Sequence, residues 1–113
     1  MSVASASKFG YFVIYTRPNF WIMYYVYILQ SKKDGELYTG CTNDLRKRIK
    51  MHNSGEISSA KLRKPFELVY YEAYQNKKDA FQREMFFKTG WGRNYIRRAL
   101  KYYFKSQSKN LGG

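Results

Sequence analysis

The sequence predicts an α/β or α+β domain in which a small, mostly antiparallel three-stranded sheet is flanked by helices. Three short aromatic and β-branched segments, at residues 24–29, 37–40 and 66–72, have the composition of buried strands. Asp34-Gly35 lies between the first two segments and is a turn signal, so these strands should form a hairpin. Helix-capping residues follow the second and third segments, which gives the order strand, strand, helix, strand, helix, helix.

The first helix should begin after the hairpin, because Thr42, Asn43 and Asp44 are all residue types that cap helix N-termini. It should run to about His52. The Gly-, Ser- and Lys-rich segment 53–64 then predicts a loop with room for one helical turn.

Two further helices are expected after the third strand. Asn76 can cap a helix over residues 77–88. Gly90 and Gly92 are expected to break the chain, and a last amphipathic helix is expected over residues 95–104, with an aromatic face and a basic face.

The length of 113 residues suits one small domain, which we expect to span residues 23–105. Residues 1–22 begin Ser- and Ala-rich and carry only Lys8 and Arg17 as charges, so we expect a poorly ordered N-terminal extension. Residues 106–113, SQSKNLGG, are expected to be a disordered polar tail.

The charge balance predicts a polyanionic partner. Lys and Arg number 21 against 8 Asp and Glu, which gives a formal net charge of +13. We expect a nucleic acid to be the partner, because Tyr interleaved with Lys and Arg suits stacking and phosphate contacts. The alternatives are a charge that serves solubility alone or an anionic-membrane surface.

Several classes of site and location are disfavoured by composition. One cysteine cannot form an intramolecular disulfide, which favours a reducing compartment such as the cytoplasm. One histidine excludes a His-rich metal site. The apolar run at residues 20–29 is too short to span a bilayer, so no membrane partner is expected.

The first predicted helix divides its basic residues into two groups. Leu45 and Ile49 define the apolar face, and Arg48 and His52, four residues apart, lie at its margin. There they could cap the edge of the core or reach a cleft over the hairpin. The second group points away from that face and is either a solvated surface or a contact for the DNA backbone; it comprises Arg46, Lys47 and Lys50. We add Lys61, Arg63 and Lys88 as candidate nucleic-acid contacts.

Glu84 falls inside the apolar arc of the second predicted helix, where a carboxylate is costly unless it is paired. It could form an ion pair with Lys88 one turn later, or with Arg83. It could instead point into a cleft and hold a Mg²⁺ ion, which one or two protein carboxylates commonly bind together with water and substrate phosphate.

Tyr27 and Tyr38 lie on the two strands of the predicted hairpin. Strand tyrosines are more often packing residues than catalysts. A phenol has an unperturbed pKa of about 10, so a tyrosine base would need a nearby cation or metal to lower that pKa.

These residues occur together in a known pattern. Tyr-Val-Tyr at residues 25–27, followed after ten residues by Tyr-Thr-Gly at residues 38–40, resembles the motif of the GIY-YIG nuclease superfamily, and its small single-domain bacterial members most of all. Arg48, His52 and Glu84 occur at the spacings that strengthen the resemblance, which covers roughly the whole predicted compact region.

The resemblance implies a three-stranded antiparallel sheet flanked by helices and hydrolysis of a DNA phosphodiester with one divalent ion, Mg²⁺ or Mn²⁺. It implies no small-molecule cofactor. By position, Glu84 would bind the metal, and Tyr38 or His52 would help activate the attacking water. Tyr27 would line the site, and Arg48 would bind the scissile phosphate.

The sequence departs from the family pattern at a few positions. Tyr25 stands where the motif has Gly, Thr39 stands where it has Ile, and Cys41 stands where some members have a Lys near the phosphate. On the strength of the resemblance, we expect an endonuclease that could act in DNA repair or processing. A preference for DNA structure and dependence on a partner are both left open. The alternatives are a catalytically weak binding module of the same fold and a basic structural protein of the ribosome or nucleoid.

Overall fold

The computed structural model describes residues 4–6, 12–14 and 22–111, with side chains described for 22–57 and 59–108. Ala4–Ala6 (β1) and Phe12–Ile14 (β2) pair as short antiparallel strands. Apart from these two strands and residue 22, the expectation of a poorly ordered extension over residues 1–22 falls on positions outside the described ranges.

The main sheet has the predicted three strands, and both strand pairs are antiparallel. Its strands are Tyr24–Ser31 (β3), Leu37–Thr42 (β4) and Phe66–Tyr74 (β5), each two residues longer at the C-terminal end than expected. The strand order is β4-β3-β5, so β4 is an edge strand. The α+β fold class is confirmed.

The first two helices begin at the caps that the sequence indicates. They are Leu45–Ser54 (α1) and Lys77–Phe87 (α2). The Asp44 side chain accepts a hydrogen bond from the Lys47 amide at 3.1 Å, and the Asn76 side chain accepts one from the Lys78 amide at 2.9 Å. The expected helical turn in the connecting loop is a 3₁₀-helix, Ser58–Arg63 (η1).

The C-terminal region differs from the expectation. Gly90 and Gly92 do not break the chain but open a helix, Gly90–Ala99 (α3), which the Thr89 hydroxyl caps at the Gly92 amide at 3.1 Å. A Cβ on Gly92 would lie 2.0 Å from the Phe86 carbonyl oxygen, so this glycine is needed for the close approach of α3 to α2.

The single helix expected over residues 95–104 is two helices that divide at Leu100, because α4 spans Lys101–Leu111. Residues 106–111 are therefore helical rather than a disordered tail. The Gln107 side chain donates a hydrogen bond to the Tyr103 hydroxyl at 2.7 Å, which ties this turn to the preceding one.

Both faces of the sheet are covered, and alternate residues of β3 supply the two cores. Val26 and Ile28 pack with Ala80, Phe87 and Ile96 beneath the C-terminal helices. Tyr27 and Leu29 pack on the opposite face, where Leu45 and Ile49 of α1 form the predicted apolar contact. Among the described residues, no helix has the length and apolar character needed to cross a bilayer.

Candidate active site

The Tyr27 ring lies against Gly40, its partner on the neighbouring strand β4. A Cβ on Gly40 would lie 2.2 Å from the Tyr27 hydroxyl oxygen and 2.4 Å from the ring carbon that bears it. Only glycine leaves room for the phenol at this point. The glycine of the Tyr-Thr-Gly motif therefore places the Tyr27 hydroxyl at the sheet edge.

His52 is completely buried and its Nε2 lies 3.0 Å from the Tyr27 hydroxyl. The sequence placed this histidine at the margin of the α1 apolar face, and the structure places it further inside. Its other ring nitrogen, Nδ1, has no hydrogen-bond partner among the described residues. Burial and the nearby positive charge of Arg48 both lower the pKa of His52, so the imidazole is neutral at pH 7.

Tyr38 packs edge-to-face against His52, with ring centroids 4.7 Å apart. Phe66 of β5 packs against both rings, at 5.5 Å from His52 and 5.9 Å from Tyr38. The Tyr38 hydroxyl lies 3.2 Å from the Ser59 hydroxyl on η1. These contacts fix the Tyr38 ring and leave its hydroxyl at the surface of a cleft.

The Tyr27 phenol stays protonated at neutral pH, since burial raises its pKa to about 12. The Arg48 guanidinium lowers this pKa, while Tyr38 and Glu84 raise it. The charged and polar groups that affect the pKa of this hydroxyl thus come from α1, α2 and the hairpin. Tyr27 can donate a hydrogen bond or orient a ligand, but it cannot act as a base near neutrality.

Two clefts flank Gly40 along β4. The Arg48 cleft encloses about 300 Å³ beside Cys41 and Thr42. The Tyr38 cleft encloses about 370 Å³ beside Leu37, Tyr38 and Thr39. The clefts together cover the length of the edge strand.

Glu84 lies between these clefts on one face of α2. Lys77 and Phe81 line the Arg48 cleft, and Lys88 lines the Tyr38 cleft. Glu84 follows Phe81 by three residues and precedes Lys88 by four, so it shares their helix face. Its charge raises the pKa of both Tyr27 and Cys41, although burial raises each of them more. The carboxylate therefore approaches β4 from the face opposite α1.

The Glu84 side chain is 15% exposed, and its Oε2 lies 3.1 Å from Lys88 Nζ. The ion pair anticipated as one alternative is thus formed, whereas Arg83 pairs with Glu72 instead. Glu84 Oε1 makes no hydrogen bond to any described residue. No group of three or more metal-ligating side chains occurs in the described part of the chain. The donor set suits Mg²⁺ held by one carboxylate, water and phosphate, and does not suit a structural zinc site.

The six candidate nucleic-acid contacts occupy different environments. Three residues of α1 are exposed and line neither cleft: Arg46, Lys47 and Lys50. Lys61 is exposed on η1. Arg63 Nε is 3.2 Å from the Asp34 carboxylate, and Lys88 is paired with Glu84 at the Tyr38 cleft.

Sequence reasoning missed several residues at these clefts. Phe66 and Ser59 hold Tyr38, and they come from segments that are distant from it in sequence. Arg93 of α3 lines the Tyr38 cleft, and together with Arg97 it lines a third cleft. The sequence signal that could have identified Arg93 and Arg97 is a pair of arginines four residues apart without a nearby acidic residue.

Several known proteins are similar to this chain in sequence. The family model for the GIY-YIG catalytic domain matches residues 23–97. A UPF0213 protein of Bacillus pumilus is 46% identical over 71 residues, which cover 62% of this chain and 70% of that protein. A UPF0213 protein of Clostridium perfringens is 51% identical over 67 residues, which cover 58% of this chain and 71% of that protein. The NMR structure of a UPF0213 protein from Bacillus halodurans is 36% identical, covers 81% of this chain and 87% of its own, and has a TM-score of 0.35.

Proposed function

This chain belongs to the GIY-YIG family, and we propose that it is a divalent-metal-dependent endonuclease that hydrolyses phosphodiester bonds in DNA. The observation that carries the proposal is the position of the Tyr27 hydroxyl, which lies beside Gly40 and against His52, between the cleft that Arg48 lines and the cleft that Tyr38 lines. His52 makes a hydrogen bond with this hydroxyl, and Arg48, Tyr38 and Glu84 shift its pKa.

Arg48 is proposed to bind the scissile phosphate. It reaches the sheet edge from α1, lines the Arg48 cleft and affects the pKa of Tyr27, His52 and Cys41. A planar guanidinium can bind two phosphate oxygens at once and stabilises the negative charge that develops during hydrolysis.

Tyr38 is proposed to receive the proton of the attacking water. Of the two candidates from sequence, His52 is completely buried, whereas Tyr38 lines a cleft. The water oxygen bonds to phosphorus as its proton passes to the Tyr38 hydroxyl oxygen, which releases its own proton to the solvent in the cleft. The ester bond on the far side breaks, and its oxygen takes a proton from solvent. His52 and Tyr27 hold the geometry by their mutual hydrogen bond.

Glu84 is proposed to hold Mg²⁺ or Mn²⁺ together with the substrate phosphate. When bound, such an ion neutralises phosphate charge and lowers the pKa of coordinated water, so that a weak base suffices. Arg48 and Glu84 would hold one scissile phosphodiester group at a time. One active site then makes one nick.

We propose a role in DNA repair or processing inside the bacterial cell. A single cysteine and no possible internal disulfide favour a reducing, cytoplasmic setting. The net charge of +13 supports a nucleic-acid substrate.

A second candidate function is a DNA-binding module of this fold without efficient turnover. The Glu84–Lys88 ion pair favours it, because Lys88 occupies one oxygen of the carboxylate that would hold the metal. A divalent ion has to displace or share that contact.

Cleavage of supercoiled plasmid and of branched oligonucleotides at low salt tests the proposal. We expect nicking with Mg²⁺ or Mn²⁺ that chelator abolishes and that Arg48→Ala largely removes. Arg98→Ala is the matched control, because Arg98 is an exposed arginine outside the clefts; it should retain nicking. Bound but uncut DNA in both metals would favour the binding module.

A further inference from the structure

Arg93 and Arg97 are exposed residues on one face of α3, four positions apart. Neither forms an ion pair with any residue in the described part of the chain. Like charges at this spacing destabilise a helix. The pair therefore imposes a small folding cost, and no carboxylate among the described residues forms an ion pair that would offset it.

The two arginines face a concave surface that continues from the candidate active site. With Arg63, Glu36 and Leu37 they line a cleft of about 250 Å³, here called the Arg97 cleft. Glu36 is the one acidic residue in that lining, against three arginines. Arg93 also lines the Tyr38 cleft, so the two clefts share a wall.

Other cations of the same region have different roles. Arg83 on α2 is held by two hydrogen bonds to the Glu72 carboxylate at 2.9 and 3.1 Å. Arg98 is exposed on α3 and lies outside all three clefts. Free guanidinium groups are thus combined with a concave surface at Arg93 and Arg97.

The length of the edge strand β4 determines how far the Arg97 cleft lies from Gly40. The Arg48 cleft lies at the Thr42 end of β4, and the Arg97 cleft lies at the Leu37 end. Gly40 is three residues from Leu37, a distance of roughly 10 Å at about 3.3 Å per strand residue. A nucleic-acid strand with its scissile phosphate beside Gly40 would reach the Arg97 cleft within a few nucleotides.

We propose that Arg93 and Arg97 form a binding subsite for backbone phosphates of the substrate strand, a few nucleotides to one side of the scissile phosphate. The proposal rests on the endonuclease function proposed above and specifies the course of its substrate along β4. Guanidinium groups suit this ligand because they bind phosphate oxygens in pairs. Contacts of this kind position the strand without reading its sequence.

The test is the salt dependence of DNA binding, measured by fluorescence anisotropy in chelator so that no cleavage occurs. Each phosphate contact contributes about one unit to the slope of log affinity against log salt concentration. We expect Arg93→Gln/Arg97→Gln to reduce that slope by about two units relative to the wild type.

Arg98→Gln is the matched control from the same helix and should leave the slope unchanged to within about half a unit. The thermal midpoint of the double variant should equal or exceed that of the wild type, because a repulsive pair is removed. An unchanged slope in the double variant, or an equal reduction in Arg98→Gln, would overturn the subsite.

Oligonucleotides with a single uncharged methylphosphonate locate the contact. The wild type should bind more weakly when the neutral linkage falls at one or two positions to one side of the cut, and the double variant should be insensitive there. Identical profiles for both proteins contradict the proposal. Steep, arginine-dependent binding without metal-dependent cleavage would remove the endonuclease function and leave the subsite intact.

Discussion

The Tyr27 hydroxyl and His52 Nε2 lie 3.0 Å apart in the interior, joining the first strand of the main sheet to the end of helix α1. His52 has no other hydrogen-bond partner among the described residues. Tyr27→Phe should therefore lower the free energy of unfolding by about 1–3 kcal/mol, because it leaves a buried imidazole unsatisfied.

A double-mutant cycle with His52→Phe checks this relationship by urea denaturation. The double variant should lose less stability than the sum of the single variants, since removing both polar partners leaves no unsatisfied group. Strict additivity would show that the two groups do not interact.

Gly40→Ala should destabilise the fold by about 1–3 kcal/mol or more, because the new methyl group would overlap the Tyr27 ring. The same substitution should cost less in a Tyr27→Leu background, where that ring is absent, but not in Tyr27→Phe, whose ring carbon would still be 2.4 Å away. Thermal unfolding of the six proteins, each background with and without Gly40→Ala, measures this coupling. An equal cost in all three backgrounds would show that the clash is relieved elsewhere.

Stability should fall on acidification because His52 is buried as the neutral imidazole. Its folded-state pKa is lowered by burial and by Arg48, whereas an unfolded histidine has a pKa of about 6.5. Below that pH the unfolded chain binds a proton that the folded chain does not, so stability declines towards the folded-state pKa and is constant above the unfolded one. Urea unfolding of the wild type and His52→Gln between pH 7.5 and pH 5.5 measures this contribution. Parallel pH profiles would assign the acid sensitivity to other groups.

Arg83→Met should cost about 2–3 kcal/mol of stability, because it removes two charge-assisted hydrogen bonds to Glu72. Tyr70 and Tyr74 also donate hydrogen bonds to that carboxylate. The salt dependence of DNA binding should be unchanged, since this guanidinium serves the fold. A slope reduced by about one unit would instead identify Arg83 as a phosphate contact.

The strands and the first two helices were predictable because their signals are local. Asp44 and Asn76 are caps in the structure as in the sequence, and the alternation of β3 residues between two cores follows from strand geometry. Gly92 was misread because the Phe86 carbonyl that excludes a side chain there is visible only once α2 and α3 are packed.

The sequence selected the residues of the candidate site but did not show how they are arranged. Motif spacing selected Tyr27, Tyr38, Arg48, His52 and Glu84, and their roles stay predictions. The completely buried His52 packs against Phe66 of strand β5, which is distant from α1 in the pattern that the sequence displays. Arg93 and Arg97 were not named as candidate contacts because their cleft forms between α3 and the start of β4, which lie far apart in sequence.

Cleavage and binding by the wild type and Glu84→Gln, measured on one fluorescent DNA with Mg²⁺ and with chelator, test the central claim most directly. Glu84→Gln should bind DNA as tightly as the wild type in chelator and cleave it at least about 100-fold more slowly in Mg²⁺. Asp79→Asn, an exposed change on the same helix, should keep wild-type cleavage. Undiminished cleavage by Glu84→Gln, or no cleavage by the wild type in Mg²⁺ or Mn²⁺, would contradict the account and make Glu84 the ion-pair partner of Lys88 alone.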